Sequence, residues 1–231
     1  FNSGSWTGPK SMADKEFQRF SQFIQSEFGI KMPPGKKVML ESRLNKRLRA
    51  LGMNTYKDYE EYLFSLKGLE IELPHLIDVV TTNKTEFFRE SNHFDLLYQE
   101  LLPDWIAKNK KNKPFAVWSA GCSTGEEPYT LAIVLSEFAT KFPDFSFTIL
   151  GTDISNQVLD TAKKAIYTED KLEKISFELR RRYFLRSKDR KRKVVRVAPE
   201  IRSLVSFRVL NFMDSFNFRE KLDTIFCRNV V

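Results

Sequence analysis

The chain has 231 residues, of which 42% are hydrophobic, 13% aromatic and 29% charged, a globular composition that excludes a disordered or collagen-like chain. At about 150 residues per domain this length fits one large or two small domains, and no apolar run reaches the roughly 20 residues that cross a bilayer. The net charge of +8 is unevenly spread: 14 basic residues face 4 acidic ones between Lys171 and Arg208, and 6 face 1 between Lys36 and Arg49, so the remainder is acidic. Two basic patches on an acidic body point to an acidic partner surface rather than a uniform nucleic-acid coat.

Cys122 and Cys227 are too few for a disulfide framework, and His75 and His93 sit in no metal-ligand spacing, so a cytoplasmic chain with no metal is expected. The opening residues Phe1 to Lys10 are polar and glycine-containing and lack a signal-peptide pattern. They read as an appendage ahead of a natural start near Met12.

The first 75 residues have helical periodicity. Phe17, Phe20, Ile24 and Phe28 form one apolar stripe that stops at Gly29, and Leu40, Leu44, Leu48 and Leu51 form a second that stops at Gly52. A third helix, capped by Thr55, turns Tyr56, Tyr59, Leu63 and Leu66 inward and ends near Gly68. Beside the leucine face of the second helix, Arg43, Lys46 and Arg47 fall on one stripe. A further helix runs from about Leu76, and another follows Asn92 with Phe94, Leu97, Leu101 and Trp105 inward and a bend at Pro103.

From Pro114 the rhythm changes to α/β. Phe115 to Ser119 is a short apolar strand that enters the small-residue loop Ala120 to Gly125. Glu126, Glu127 and Pro128 then open a helix in which the acids suit the positive end of the dipole. Phe147 to Asp153 is a second strand, with Ser155 capping the helix after it. Val194 to Val197 and the alternating Val205, Phe207 and Val209 are strand signals where the rhythm is interrupted, and Leu222 to Cys227 is the last strand. The organisation predicted is a helical domain over 12–75, linker helices over 76–113, and an α/β domain over 114–231 with a small antiparallel β insertion at about 184–204.

A glycine-bearing turn between strand and helix, followed by an acid at the end of the next strand, is the pattern of a nucleoside site: glycines admit a ligand to the backbone, and the carboxylate accepts from ribose hydroxyls. Here the turn is Gly121 to Gly125 and the acid is Asp153. The turn is not G-x-G-x-x-G, which disfavours a dinucleotide. On these residues alone, a tight turn and a helix-initiating aspartate explain the pattern as well.

Five ordered motifs add to this reading: Thr81-Thr-Asn-Lys-Thr-Glu-Phe-Phe-Arg-Glu90, Trp118-Ser-Ala-Gly-Cys-Ser-Thr-Gly-Glu-Glu-Pro-Tyr129, Gly151-Thr-Asp-Ile154, Arg182-Tyr-Phe184 and Ile225-Phe-Cys-Arg-Asn-Val230. Together with the helix from Leu40 to Gly52, they closely resemble the CheR family of chemotaxis-receptor methyltransferases, from about residue 14 to the end. The resemblance implies a Rossmann-like S-adenosyl-L-methionine-dependent methyltransferase fold, with S-adenosyl-L-homocysteine as product and no metal. The implied acceptors are glutamate carboxylates on the cytoplasmic helices of chemoreceptors, the methyl-accepting chemotaxis proteins. Carried over by motif position, Asn83, Thr85 and Arg89 hold the methionine end, with Arg89 also at the reacting group, and Gly121 and Glu127 contact the cofactor from the loop. Asp153 takes the ribose, Asn211 and Phe212 the adenine, and Arg228 and Asn229 close the site.

Two of these residues have plainer readings. Arg89 has Glu86 and Glu90 on its own segment, and Phe212 is one of 21 phenylalanines. The stripe of Arg43, Lys46 and Arg47 is the expected dock for a glutamate-rich receptor helix. The run Arg190 to Lys193 is either part of a peptide-binding insertion, as in some members, or a plain exposed hairpin. The last strand leads into Arg228-Asn-Val-Val231 rather than the Pro-Pro-aromatic motif of amine methylation, which argues against nucleic acid as substrate and against the alternative of a nucleic-acid methyltransferase. A non-enzymatic cofactor-binding regulatory module is the other alternative. The resemblance also implies a C-terminally truncated domain, with roughly 50 residues and the partner of an open sheet edge beyond Val231.

Overall fold

The computed structural model describes residues 8–108, 113–189, 191–218 and 220–230. Residues Phe1 to Thr7 of the expected N-terminal appendage, Arg190 of the basic run and Val231 lie outside the described residues. The chain forms two units, one built from the residues through Thr82 with Asn211–Phe216, the other from Asn83–Leu210 and Asn217–Val230. No helix among the described residues is long and apolar enough to cross a membrane.

The first unit is helical. Helix α1 (Asp14–Phe28) buries Phe17, Phe20, Ile24 and Phe28, and Gly29 ends it at a φ of 70°, where a left-handed residue is needed. Helix α2 (Lys37–Leu51) buries Leu40, Leu44 and Leu48. Helix α3 (Tyr56–Leu63) starts at Thr55, whose side chain accepts from the Asp58 amide.

The third helix ends earlier than its periodicity predicts, and the next begins ten residues sooner. Ser65 accepts from the Gly68 amide and caps α4 (Leu66–Val80), so the expected boundary at residue 75 falls inside a continuous helix. Leu66, read as inward, is 94% exposed. Gly68 stops nothing: a Cβ there would lie 1.7 Å from the Tyr62 carbonyl oxygen, so glycine is required by the close approach of the preceding turn.

Helix α4 also claims the basic stripe. Arg47 makes a bidentate pair with Glu72, at 2.6 and 2.7 Å, and the Tyr59 hydroxyl donates to the same carboxylate at 3.0 Å. The Glu72 side chain is wholly buried. Arg43 donates to the Val79 and Thr81 carbonyls, both at 2.9 Å. The stripe therefore points at the unit's own fourth helix, and only Lys46 stays exposed. Arg43 and Arg47, expected to dock a partner helix, thus also have partners within their own unit; helical spacing shows that residues share a face, not what that face meets.

The second unit starts with α5 (Asn92–Leu96), a π-helical turn at Leu97–Leu101, and α6 (Leu102–Lys108). The wider turn shifts the helix face by one residue, so Leu102 is buried and Leu101, expected inward, is 44% exposed. Then follow β1 (Phe115–Ala120), α7 (Glu126–Lys141), β2 (Phe147–Asp153), α8 (Asn156–Lys164), β3 (Ile166–Thr168), α9 (Phe177–Tyr183), β4 (Phe184–Arg186), β5 (Val194–Val197), α10 (Pro199–Arg202), β6 (Val205–Val209) and β7 (Thr224–Cys227).

The main sheet is parallel in the order β6-β2-β1-β7, with Val117 opposite Ile149 on one side and Thr224 on the other. Strands flanked by neighbours on both sides read as apolar runs, and β1 is buried at every position except Ala116. A second, antiparallel sheet has the order β3-β5-β4. It takes in β3, well before the expected insertion start at about 184, because three residues are too short to show a period. Trp105 packs edge-on against Phe115 and Phe145, with Phe138 against Phe145 in turn, and its indole donates to Asp223 at 3.0 Å.

Arg47→Met leaves the Glu72 carboxylate buried without its cation. We expect urea denaturation to show a loss of about 3 to 5 kcal/mol in the helical unit, with a smaller loss when Glu72→Met is added.

Candidate functional site

In an open parallel sheet, the crevice forms at the carboxyl ends of the strands where the winding direction reverses. Here β1 and β2 proceed one way, and β7 returns to the other side of β1. The turns after β1 and β7 and the last residue of β2 meet at that end of the sheet.

The turn after β1 has unusual backbone. Gly121 and Gly125 have φ of 72° and 96°, and Ser123 between them has 49°. A Cβ on Gly121 would lie 2.8 Å from Val230 Cγ2, and one on Gly125 would lie 2.8 Å from Ala162 Cβ. Both glycines are thus demanded by the protein's own packing as well as by their dihedrals. Asp153 stabilises the turn: one carboxylate oxygen accepts from the Ser123 amide at 2.8 Å and the other from the Ser155 amide at 3.0 Å. The Cys122 amide donates to the Thr152 carbonyl at 2.8 Å, which locks the turn to the end of β2. Burial pushes the Cys122 thiol well up, with the Asp153 charge adding to the effect, so it is a poor nucleophile.

Helix α7 carries two acids of different character. Glu126 is buried and accepts from the Thr124 hydroxyl at 2.6 Å and from Lys171 at 3.1 Å. Glu127 accepts from the Ser119 hydroxyl at 2.7 Å and lies 3.5 Å from the Arg228 guanidinium. Burial pushes its carboxyl above the usual range, against the opposing pull of the Ser119 hydrogen bond and Arg228.

The segment Asn83 to Glu90 crosses this end of the sheet and is pinned at four points. The Asn83 carbonyl accepts from Ser123 Oγ at 3.2 Å and the Thr85 carbonyl from Lys171 at 2.8 Å. The Phe88 amide donates to Thr130 Oγ1 at 3.2 Å, and the Arg89 carbonyl accepts from Arg228. Between these points Phe88 and Glu90 take φ of 54° and 52°. Such dihedrals are costly for side-chain-bearing residues and persist only where the surroundings impose them. The carboxylates near Arg89 are engaged elsewhere, Glu86 with Lys174 at 2.6 Å and Glu90 with Arg228 at 3.0 Å. Arg89 itself donates to the Lys84 carbonyl at 2.9 Å.

Arg228 joins these parts. It reaches Glu127, Glu90 and the Arg89 carbonyl and lies over the Phe94 ring, 5.4 Å from its centroid. Its Nε and Nη1 are nonetheless buried and make no hydrogen bond among the described residues. Asn229 follows at a φ of 54°, a region asparagine tolerates.

Asn83, Thr85, Arg89, Gly121, Glu127, Asp153, Arg228 and Asn229 therefore belong to one unit, and the contacts above link their segments. Asn211 and Phe212 belong to the helical unit, where the Asn211 amide donates to the Glu27 carbonyl at 2.8 Å and Phe212 faces Phe216. The sequence reading passed over Ser119, Ser123, Glu126 and Thr130, which lie in or beside the quoted loop motif. It also passed over Tyr167 and Lys171, whose distance along the chain carried no signal.

Two family descriptions match the chain. "CheR methyltransferase, all-alpha domain" covers residues 15–81, and "CheR methyltransferase, SAM binding domain" covers residues 83–231. A chemotaxis protein methyltransferase of Borreliella burgdorferi is 40% identical over 94% of this chain and 76% of its own length. Chemotaxis protein methyltransferase 2 of Pseudomonas aeruginosa is 36% identical over 94% of this chain and 75% of its own length. The chemotaxis protein methyltransferase of Escherichia coli is 34% identical over 96% and 74%. With matches to both domain descriptions and these identities, the chain belongs to the CheR methyltransferase family.

Proposed function

We propose that this protein methylates chemoreceptors, using S-adenosylmethionine to convert glutamate side-chain carboxylates into methyl esters. What carries the reading is the convergence of Glu127, Arg228 and the Asn83–Arg89 segment beside the Asp153-braced turn, in a chain of this family. The residues fit the cofactor. Arg228 has two buried guanidinium nitrogens without hydrogen-bond acceptors, which a carboxylate would satisfy. Glu127 is a buried carboxylate beside the turn, suited to a ligand with a positive centre.

In this reading Asn83, Thr85, Arg89 and Arg228 hold the amino-acid end. Glu127 faces the positive part, and Asp153 accepts from the ribose hydroxyls. S-adenosylmethionine supplies an electrophilic methyl group on a sulfonium. An acceptor glutamate, with an ordinary pKa of about 4.3, is already an anion at neutral pH, so the protein needs no general base. Its task is to align the two reactants and keep water from the carboxylate. This is consistent with the buried, inert Cys122.

Two measurements test the assignment. Incubation with labelled S-adenosylmethionine and receptor cytoplasmic fragments should place label on the receptor and release it as methanol in base. Base-stable label, or label on RNA instead, would defeat the ester assignment. The second concerns Glu127. Because its folded-state pKa is raised, the folded protein binds this proton more tightly than the unfolded chain, and stability falls as pH rises through the raised value. Glu127→Gln should therefore make the ligand-free protein more stable at neutral pH, with the difference fading below about pH 4. The same variant should weaken S-adenosylmethionine more than its product, which lacks the sulfonium charge. Equal weakening of both would remove Glu127 from the positive centre.

A further inference from the structure

We propose that Tyr167, on the first strand of the small antiparallel sheet, is a positioning residue for the cofactor: its hydroxyl and its ring hold the two segments that carry the cofactor contacts, and it acts through them. The inference rests on the cofactor reading above.

The hydroxyl donates to the Thr124 carbonyl at 2.7 Å. That carbonyl belongs to the peptide leading into Gly125, whose φ of 96° makes the end of the turn, and a Cβ at Gly125 would lie 3.0 Å from the same hydroxyl. The ring meets Phe87 edge-on at 5.0 Å between centroids and 82° between planes. Phe87 is fully buried and is flanked on another side by Phe184 at 5.3 Å. It is also the central anchor of the segment with Asn83, Thr85 and Arg89. One side chain thus fixes the height of the turn and the seat of the crossing segment together.

The strand that presents Tyr167 is itself held, with Tyr167 opposite Val195 in the antiparallel pairing. Four residues on, Lys171 bridges the same two segments, with Nζ 2.8 Å from the Thr85 carbonyl and 3.1 Å from the buried Glu126 carboxylate. Burial pushes the Tyr167 hydroxyl well above its ordinary pKa, so it remains a donor throughout the working range. The small sheet therefore contributes directly to the shape of the site on the main sheet.

Tyr167→Phe removes one oxygen and leaves the ring in place. In calorimetric titration, its dissociation constant for S-adenosylhomocysteine should rise about fivefold, the factor carried by one hydrogen bond of ordinary strength. In the ligand-free protein, amide exchange over residues 121–125 should quicken while that of β2 does not. Tyr183→Phe is the comparison, since its hydroxyl bonds Glu137 in the same unit, away from the turn. It should lower the melting temperature without changing the dissociation constant. Affinity within twofold of the unaltered chain for Tyr167→Phe, or equal weakening by Tyr183→Phe, would overturn the positioning role and leave the cofactor reading standing. If the unaltered chain failed to bind S-adenosylhomocysteine, the cofactor reading would fall, and this inference with it.

Discussion

The site depends on the carboxylate of Asp153. Its two oxygens accept amides from opposite directions, Ser123 in the turn after β1 and Ser155 at the start of α8. In a turn that holds Gly121, Ser123 and Gly125 at positive φ, the Ser123 amide takes this carboxylate as acceptor, and an ionised acceptor is worth more than a neutral one. Asp153 ends β2, which is registered against β1 from Phe147 to Thr152 and against β6 through Asp153 opposite Val209. Strand register therefore sets the position of the acid, and the acid sets the shape of the turn.

Around that brace the chain uses charge sparingly and in pairs. Glu126 is neutralised by Lys171, Glu127 stands near Arg228, and Glu90 takes the other side of the same guanidinium. Arg228 is the least satisfied of these groups, with two buried nitrogens lacking acceptors. Its charge is paired, but buried donors without acceptors are costly in a folded protein, and a ligand acceptor would complete the set. The positive φ values of Phe88, Glu90, Ser123 and Asn229 fall on the same three segments. Strain and unsatisfied polarity thus occur together, as they do where a structure is built for binding rather than for stability alone.

The helical unit illustrates the opposite use of charge. Arg47, Glu72 and Tyr59 form a closed, satisfied cluster in the packing of α2 against α4. By sequence, Arg47 belongs to a basic stripe that invites an outside partner. The structure gives Arg47 a partner within the same unit.

Local pattern sufficed where the determinant was local. The stripes of α1 and α2, the caps at Thr55 and Ser155, the apolar runs of β1 and β2 and the turn with its acid were all legible, because spacing, capping and burial are decided within a few residues. The motifs also sufficed to name the family. Tertiary structure alone decided the continuation of α4 through residue 75, the glycine at position 68 set by a backbone 1.7 Å from its missing Cβ, and the shift from Leu101 to Leu102 at the π-helical turn. It also decided that Arg47 turns inward and that Tyr167 and Lys171 grip segments about 40 and 80 residues away in sequence. These are contacts between distant parts of the chain, and periodicity, which reports only which residues share a face, carries no information about what that face will touch.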